Sequence, residues 1–410
     1  MDILFYDTLR IRNLGTYSVH IYELVSNLSR LGHNIVPVKT DIPRDGEEID
    51  AKQHPSLWER IKIGLRSSPI YEPLKGEITI FWSFLNETRI FLSAFILIVK
   101  LRGGFDVIYR RHSYLNSEYF LAKLFRIPSV KEVNGIIADE AKITKQGDNF
   151  SLWITKRIER FTIGKADKIV VVTSKLKEVL HDDYIIPEDK IVVIPNGANI
   201  NLFKPMDAVK ARRELNLNQS ASYVCFVGNL WPPQGVQYLI RSMAYILDNC
   251  PNTWLLIVGD GMIKKELEEL TKQIGVSARI IFTEAVPYQK VPLYISASDI
   301  CVAPFIRERN ERCGVSPLKL CEYMACGKPV VGSRVSGLEM LEQNDAGILT
   351  EPENPEALAN AIIRLLQDPE IRKQMGKNGR RYVVENRSWE SVAKRVAQVC
   401  EQTIKKRQEQ

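Results

Sequence analysis

The sequence predicts an α/β protein built from two Rossmann-like domains in succession. Short apolar runs, typical of buried parallel strands, alternate with amphipathic segments along the chain, which indicates repeated βαβ units. The alternation is interrupted by the Pro-Asn-Gly-Ala sequence at 195–198 and then starts again. With 410 residues the chain is too long for one core and fits two domains of about 150–200 residues each. We therefore expect one domain at 1–198 and a second at 199–387, followed by a last helix at 388–404.

In the first half, apolar runs and the breaks between them predict seven strands. Their residues are 3–6, 35–38, 78–84, 106–110, 128–133, 169–172 and 191–194. The helices expected between them include 17–31, 89–102, 116–126 and 153–164. Only Gly15 remains of the glycine-rich dinucleotide fingerprint, so an NAD or FAD site has little support.

In the second half, the same pattern predicts six strands. Their residues are 223–227, 254–258, 280–282, 300–304, 330–332 and 347–349. Helices are expected at 236–247, 263–273, 355–366 and 370–385, ahead of the last helix, which Ser388 would cap. Ligands of open α/β sheets bind outside the carboxyl ends of the strands, so we expect functional residues in the segments that follow them.

The composition excludes several classes of protein. The net charge of +7 is modest and spread over both halves, whereas nucleic-acid binding concentrates basic residues, so we expect no nucleic-acid partner. No apolar run reaches the roughly 18 residues of a membrane span, and the N-terminus predicts a first strand rather than a signal peptide. All seven cysteines lie in the C-terminal half and all five histidines in the N-terminal half, which argues against a zinc site. We expect a cytoplasmic protein.

One helical segment allows two interpretations. Residues 89–102 are apolar almost all round and carry basic residues at both ends, which fits a helix buried in the core. The alternative is contact with a membrane surface, alone or together with Trp58, Lys62, Arg66 and Trp82. The modest positive charge of the chain is compatible with attraction to an anionic membrane.

The stretch 312–333 combines a loop, a helix and a strand in a pattern that suits a phosphate. We predict that Ser316 caps the helix with Pro317 at its first position, and that Gly327 ends it. The free N–H groups and partial positive charge of a helix N-terminus favour an anion. Glu322, a turn and a half inside the helix, could reach sugar hydroxyls; the alternative is a glutamate that faces solvent.

Polar residues also follow two predicted strands of the first half. Arg111 and His112 come directly after one strand, and Glu132 and Asn134 lie at the end of the next. We expect these side chains at the carboxyl edge of the sheet and therefore near a ligand. The alternative for His112 is a lone surface histidine.

Several segments together resemble one known family. In chain order they are Gly15 and His20 with Leu-Gly-His at 31–33, Ala-Asp at 166–167, IPNGANINLFKP at 194–205, VGNLWPPQGV at 227–236, VGDG at 258–261, ASDICVAPF at 297–305 and SPLKLCEYMACGKPVVGS at 316–333. Each segment alone is a weak signal, but their order and spacing extend over nearly the whole chain. The sequence resembles the retaining glycosyltransferases of family 4, whose fold is GT-B.

The resemblance implies two Rossmann-like domains that face each other across a cleft, with the last helix crossing back to the first domain. It implies a hexosyltransferase-type enzyme that moves a sugar, with retained configuration, from a UDP- or GDP-linked donor to a glycan or lipid-linked acceptor in cell-surface polysaccharide or glycolipid biosynthesis. The donor is expected on the second domain and the acceptor on the first, with no metal and no other cofactor. The enzyme would act in the cytoplasm at the inner face of the membrane, with peripheral contact through residues 58–102.

The sequence departs from the family pattern at positions that the resemblance places near the donor diphosphate. Asn229 and Gln234 stand where the family often has an arginine and a lysine, and Gly314 precedes Glu322 by eight residues, where the first of two paired glutamates is expected. We hypothesise that Lys319, in the first turn of the predicted helix, replaces the missing charges together with the helix N-terminus. The alternative is a solvated lysine.

The residues expected to form the site fall into three groups. The predicted catalytic residues are Glu132, Asn134 (where the family has a histidine), Lys319 and Glu322. The predicted donor-binding residues are Gly15, Gly228, Asn229, Gln234, Gly259, Gly261, Arg312, Gly314, Val315, Ser316, Pro317, Leu318, Lys319 and Glu322. The predicted acceptor-side residues are His20, Arg111, His112 and Glu132, and no metal ligand is predicted.

Two other functions stay open at this level. One is a sugar-nucleotide epimerase or hydrolase of the same fold, which would need an acid–base pair and no acceptor site. The other is a catalytically silent nucleotide-sugar-binding protein, which the missing arginine, lysine and first glutamate make conceivable.

Overall fold

The computed structural model of the chain describes residues 1–9, 16–40, 75–113, 116–143 and 149–409. These residues form two compact units. The first comprises Met1–Val171, Leu180–Val193 and Ala393–Gln410, and the second comprises Val172–Val179 and Ile194–Val392. Each unit is built around one six-stranded parallel sheet, which confirms the predicted pair of α/β domains.

The first sheet has the strand order β2-β1-β3-β4-β5-β6 and all its strands are parallel. Its strands are β1 Asp2–Leu9, β2 Asn34–Thr40, β3 Val107–Arg111, β4 Ser129–Val133, β5 Lys168–Val171 and β6 Ile191–Val193. The chain runs outward from β1 to β2 and then returns to the other side of β1 for β3. Ligands of open sheets bind at such a switch point, outside the carboxyl ends of the strands.

The second sheet has the order β12-β11-β10-β7-β8-β9 and is also parallel throughout. Its strands are β7 Ser222–Val227, β8 Thr253–Val258, β9 Ile280–Phe282, β10 Ile300–Ala303, β11 Val330–Ser333 and β12 Gly347–Thr350. Here the switch point lies between β7 and β10, so a ligand is expected at the segments that follow these two strands.

The helices connect these strands and are numbered in chain order. They are α1 Thr16–Arg30, α2 Lys75–Lys100, α3 Glu118–Phe125, α4 Ile137–Ile143, α5 Asn149–Gly164, α6 Ser174–Asp182, α7 Ala208–Glu214, α8 Val236–Asn249, α9 Lys264–Gln273, α10 Val291–Ala297, α11 Arg307–Cys313, α12 Leu318–Ala325, α13 Met340–Gln343, α14 Pro355–Gln367, α15 Pro369–Asn386 and α16 Trp389–Gln408. Among the helices of the described residues, none is both long and apolar enough to cross a bilayer.

Helix α2 corrects one prediction. Residues 78–84 were expected to form a strand, but they belong to α2. Ile90, Ala94 and Ile98 recur every four residues along this helix and pack into the core with Leu4 and Ile108 of the first sheet. This packing favours the helix over the local preference of an apolar, aromatic-rich run for a strand.

Alternating side chains of the second sheet enter two apolar clusters. Cys225 of β7 and Leu256 of β8 belong to one cluster, which also contains most of α12. Their neighbours Val224 and Leu255 belong to the other, together with the buried faces of α8 and α14. Because successive side chains of a strand point to opposite faces, helices cover the second sheet on both sides.

Candidate functional site

Glycines bring the loops after β7 and β8 into backbone contact. Gly228 follows β7 with φ +147° and Gly259 follows β8 with φ +141°. A Cβ on Gly259 would lie 2.0 Å from Gly228 O, and one on Gly261 would lie 2.4 Å from Asn229 Oδ1. The two loops can therefore approach this closely only with glycine at these positions.

Lys319 points into this group of loops. Its ammonium donates a hydrogen bond to Gln234 Oε1 at 2.7 Å and lies 3.9 Å from the centre of the Phe226 ring. A Cβ on Gly228 would come within 2.7 Å of Lys319 Nζ. The predicted replacement for the missing charges thus lies beside Gln234 itself, at the switch point of the second sheet.

The ammonium of Lys319 has neutral neighbours. Among the described residues, no carboxylate lies within salt-bridge distance of it, although Glu322 on the next turn contributes a weaker attraction. Burial lowers the pKa of Lys319 to about 7, because the charged form loses water and the attraction of Glu322 restores only part of that loss. Lys319 as a whole is partly exposed, but its ammonium is hydrogen-bonded to Gln234 and packs over the Phe226 ring, which favours a role in binding over that of a solvated lysine.

Gln234 is held in place by a short 3₁₀ helix, Pro232–Gln234. The next residue, Gly235, has φ +69°, and a Cβ there would lie 1.7 Å from Pro304 O. The loop after β7 is therefore packed directly against the backbone that follows β10. Asn229, earlier in the same loop, is exposed.

The N-terminus of α12 differs from its prediction. The helix begins at Leu318, with Pro317 as the cap residue, and no side chain caps it. Ser316 Oγ accepts a hydrogen bond from Asn196 N at 2.9 Å, and Ser316 O accepts one from Asn196 Nδ2 at 2.6 Å. The predicted cap is wrong because the Ser316 hydroxyl binds a segment 120 residues away.

Asn196 belongs to the segment that separates the two predicted domains. Through its hydrogen bonds to Ser316 it also lies beside the N-terminus of α12. Its side-chain oxygen is buried and has no hydrogen-bond partner among the described residues. In the Pro-Asn-Gly-Ala sequence, Asn196 has the appearance of an ordinary turn residue, so its contact with Ser316 cannot be predicted from the sequence.

Gly314 occupies the position of the family's first glutamate for a backbone reason. It has φ +66° and ψ 178°, a region that residues with side chains rarely adopt. A Cβ there would lie 3.2 Å from both Thr173 Cβ and Ser336 O. Val315, the next residue, donates its N–H to Ser336 O at 2.8 Å. A glutamate at 314 would therefore strain this segment.

Glu322 and Arg312 occupy opposite environments. Glu322 is only 6% exposed, so it does not face solvent as its alternative interpretation required. Arg312 lies exposed at the end of α11, and Leu318 is buried at the start of α12. Of the predicted donor-binding cations, Lys319 alone is enclosed by the loops at the switch point.

At the carboxyl edge of the first sheet, three side chains contact the carboxylate of Glu132. His20 Nε2 lies 2.7 Å from Glu132 Oε1, Asn134 Nδ2 donates to the same oxygen at 2.7 Å, and Tyr109 Oη donates to Oε2 at 2.5 Å. Burial would raise the pKa of Glu132, but His20, Arg111 and the Tyr109 hydrogen bond outweigh it and hold this pKa at about 2. The carboxylate is therefore ionised throughout the physiological range.

His112 lies next to this cluster but is paired elsewhere. Its Nε2 lies 3.0 Å from Glu159 Oε1, and its Nδ1 lies 3.3 Å from Asn116 Nδ2. Burial lowers the pKa of His112, although Glu159 opposes this effect. The side chain is buried, so the surface-histidine alternative is wrong. Gly15, the remaining predicted residue of this edge, lies outside the described residues.

The structure thus brings together Gly228, Asn229, Gln234, Gly259, Gly261 and Lys319 at one edge, and His20, Glu132 and Asn134 at the other. Within the described parts of the chain, no three histidine, cysteine or acidic side chains are placed to share a metal ion.

The fold that contains these two sheets matches the fold of solved structures of known proteins. The chain matches the structure of sucrose-phosphate synthase from Thermosynechococcus elongatus with a TM-score of 0.73 and 22% identity, covering 98% of this chain and 99% of the other. It matches HepE from Anabaena, in complex with UDP, with a TM-score of 0.68 and 18% identity, covering 98% and 100%. The fold is that of the GT-B glycosyltransferases.

Two families match consecutive parts of the sequence. Residues 17–202 match Glycosyltransferase Family 4, and residues 207–382 match Glycosyl transferases group 1. The chain belongs to the glycosyltransferases of the GT-B type, with a family 4 domain ahead of a group 1 domain. The family and the fold expected from the sequence resemblance are confirmed.

Proteins with related sequences are also named glycosyltransferases. An uncharacterized glycosyltransferase from Methanocaldococcus jannaschii is 33% identical over 238 residues, which are 57% of this chain and 59% of that protein. The D-inositol 3-phosphate glycosyltransferase of Corynebacterium glutamicum is 27% identical over 378 residues, which are 89% of this chain and 86% of that protein.

Proposed function

We propose that this glycosyltransferase is a retaining enzyme that uses a UDP- or GDP-linked sugar and no metal. The acceptor would be a glycan or a lipid-linked sugar in the synthesis of cell-surface polysaccharide or glycolipid, at the inner face of the membrane. The donor would bind within residues 199–387 and the acceptor within residues 1–198. Transfer is favoured over an epimerase, because both relatives described above are named glycosyltransferases.

The proposal that a nucleotide sugar binds here is based on the surroundings of the Lys319 ammonium. A buried ammonium that has only an amide oxygen and aromatic rings as near neighbours is costly in the empty protein, and an anion would relieve that cost. It lies at the switch point of the second sheet, among loops that Gly228, Gly259 and Gly261 bring close together. The diphosphate of a sugar nucleotide fits this charge, and UDP is bound by the structurally similar HepE.

Lys319 would then act on the leaving group. When the glycosidic bond to the donor breaks, negative charge grows on the diphosphate, and a preorganised cation in a dry site stabilises it. The free N–H groups at the start of α12 would add a smaller contribution, about 0.3–2 kcal/mol. Glu322, buried one turn further along, would accept hydrogen bonds from the ribose hydroxyls.

The edge of the first sheet would serve the acceptor. Glu132 remains ionised and is fixed by Tyr109 and Asn134, so it holds His20 in one orientation. An ionised carboxylate near the reacting carbon would also offset the positive charge that develops on the sugar during transfer. Arg111 and His112 belong to the same edge.

The donor proposal is tested by replacing Lys319. Lys319→Met keeps the length of the side chain and removes the charge, and we expect at least a tenfold loss of UDP or GDP affinity by calorimetry, or of kcat/KM with the sugar nucleotide. Lys328→Met is the matched control, since Lys328 is another partly exposed lysine of the second unit whose pKa is lowered by burial, but it donates to Ser296 O at 2.8 Å. It should cost stability and leave donor affinity unchanged. Native affinity and rate in Lys319→Met would reject the proposal.

The same assay tests the role of Glu322. Native protein should prefer UDP over 2′,3′-dideoxy-UDP, and Glu322→Gln should lose that preference. Slow hydrolysis of a sugar nucleotide without acceptor would speak against a catalytically silent binding protein.

A further inference from the structure

The outer face of α2 is apolar as well as its inner face. Leu92, Phe95, Ile96 and Val99 are exposed and recur at helical spacing, opposite the residues that pack on the first sheet. The core interpretation of this helix is therefore correct for one face only. Of the residues considered with it for membrane contact, Trp58, Lys62 and Arg66 lie outside the described residues, and the side chain of Trp82 is not described.

The exposed apolar surface continues on two further helices of the first unit. Phe120 and Leu124 of α3 are 59% and 64% exposed, and Trp153 and Phe161 of α5 are more than half exposed. The complete set, which we call the apolar face, consists of Leu92, Phe95, Ile96, Val99, Leu101, Phe120, Leu124, Trp153, Ile154 and Phe161. It holds ten of the seventeen large apolar side chains that are exposed in the described chain, so the exposure is concentrated here.

Ring contacts join the three helices into one surface. The Phe95 ring of α2 lies 5.8 Å from that of Phe125 at the end of α3. The Tyr119 ring of α3 meets the Phe161 ring of α5 edge-on at 6.1 Å. The apolar residues of neighbouring helices therefore adjoin one another.

The exposed charges on the segments that carry the apolar face have one sign. From residue 87 to 102, from 118 to 126 and from 151 to 165, every exposed charged side chain is basic. These residues are Arg89, Lys100, Arg102, Lys123, Arg126, Lys156, Arg157, Arg160 and Lys165. The acidic residues of the same segments, Glu87, Glu118 and Glu159, are buried.

Basic groups and aromatic rings of the face are interleaved. The Arg157 guanidinium lies 4.6 Å from the Trp153 ring centre, and the Lys165 ammonium lies 5.3 Å from that of Phe161. Rings flanked by cations suit a boundary between hydrocarbon and anionic headgroups, where each group meets its preferred surroundings.

We propose that the apolar face docks on a lipid bilayer that carries anionic headgroups. Aliphatic residues such as Leu92, Ile96 and Val99 have no use in binding a nucleic acid, whereas they gain by entering the acyl region of a membrane. The exposed basic residues of the same segments provide attraction to the headgroups, and no exposed acidic residue of these segments opposes it. This proposal does not depend on the identity of the donor.

Vesicle co-sedimentation of the full chain tests the docking. We use vesicles of phosphatidylcholine alone and vesicles of equal parts phosphatidylcholine and phosphatidylglycerol. The native chain should bind the anionic vesicles at least tenfold more tightly than the neutral ones. Lys123→Glu with Arg126→Glu should remove about tenfold or more of the anionic affinity, and Phe120→Ser with Leu124→Ser should weaken binding to both kinds of vesicle.

Matched controls lie on the second unit. Met262, 72% exposed, and Lys272, whose side chain is 67% exposed, carry the changes Met262→Ser and Lys272→Glu, which should leave vesicle binding unchanged. Unaltered circular dichroism and nucleotide affinity show that each variant is folded. The proposal is overturned if the native chain ignores both vesicles, if the face variants bind as the native chain does, or if the control variants lose as much. Self-association through the face, seen by sedimentation velocity, would also overturn it.

Discussion

At the carboxyl edge of the first sheet, the Glu132 carboxylate meets His20 and accepts hydrogen bonds from Tyr109 and Asn134. At the corresponding edge of the second sheet, the Lys319 ammonium meets an amide oxygen and aromatic rings. The first edge is electrostatically complete within the protein, and its central pKa is moved towards the charged form. The second is incomplete, and its central pKa is moved towards the neutral form.

The difference in charge pairing predicts which kind of ligand each edge would bind. A charge that the protein has already paired stabilises the fold and can orient a ligand without being neutralised by it. A charge left among neutral groups costs folding free energy, and that cost is recovered when a ligand brings the counter-charge. This comparison supports the proposal that the anionic donor binds at the second edge and an uncharged, hydroxyl-bearing acceptor at the first.

The largest expected effect comes from breaking the first edge. The pKa of Glu132 is lowered from 4.5 to about 2, so its contribution to stability is present above pH 4.5 and is lost as the pH falls towards 2. Glu132→Gln should therefore lower the free energy of unfolding at pH 7 by something on the order of 3 kcal/mol. Urea unfolding should show this deficit shrinking between pH 4.5 and 2. Glu342→Gln, which breaks an exposed pair with Arg334, is the control and should cost about 1 kcal/mol or less. A deficit that does not depend on pH would assign Glu132 a packing role only.

The second prediction moves the positive charge at the second edge from position 319 to position 234. Gln234 lies within hydrogen-bond distance of the Lys319 ammonium, so Gln234→Lys in the Lys319→Met background should return a cation to nearly the same place. We expect this double variant to recover at least tenfold of the donor affinity that Lys319→Met loses. Gln273→Lys, which adds the same charge on the exposed end of α9, should recover none. Equal recovery by both lysines would mean that only overall charge matters.

The smallest effect is a pH dependence. Since the pKa of Lys319 is about 7 in the empty protein, donor binding that needs the charged form should take up one proton above pH 7. Affinity for a sugar nucleotide should fall by up to tenfold per pH unit between pH 7 and 9, and Lys319→Met should remove this slope. Over the same range the stability of the empty native protein should rise relative to Lys319→Met, because the unfolded chain binds the proton more tightly. Parallel slopes in both proteins would contradict this account.

Patterns local to the chain predict the two sheets and most helices. The apolar runs of β1, β7 and β8 are short and continuous, as buried parallel strands require, and the break at 195–198 lies just after Val193, where the chain leaves the first unit for the second. The run at 78–84 misleads because its residues prefer strands in isolation, while the contacts of Ile90 and Ala94 with the core favour a helix through both segments. The capping role of Ser316 also fails for a long-range reason, the hydrogen bonds of Asn196.

Local patterns are less informative about partners within the site. Lys319 could be proposed from its place in a helix, but its contact with Gln234 depends on β7 and β10 being neighbours in the sheet. The pairing of His20 with Glu132 likewise joins residues from α1 and β4. The part of the apolar face on α5 cannot be predicted from the sequence, because Trp153 and Phe161 look like core residues when only the sequence is considered.

The buried ammonium has a consequence for the lifetime of the enzyme in the cell. A donor that binds only the folded state and supplies the missing counter-charge raises the free energy of unfolding by RT ln(1 + L/Kd), where L is the free donor concentration. When the donor pool is depleted, the empty form opens more often and is exposed to proteases. The abundance of this protein would then follow the supply of its own substrate, without any regulator other than Lys319.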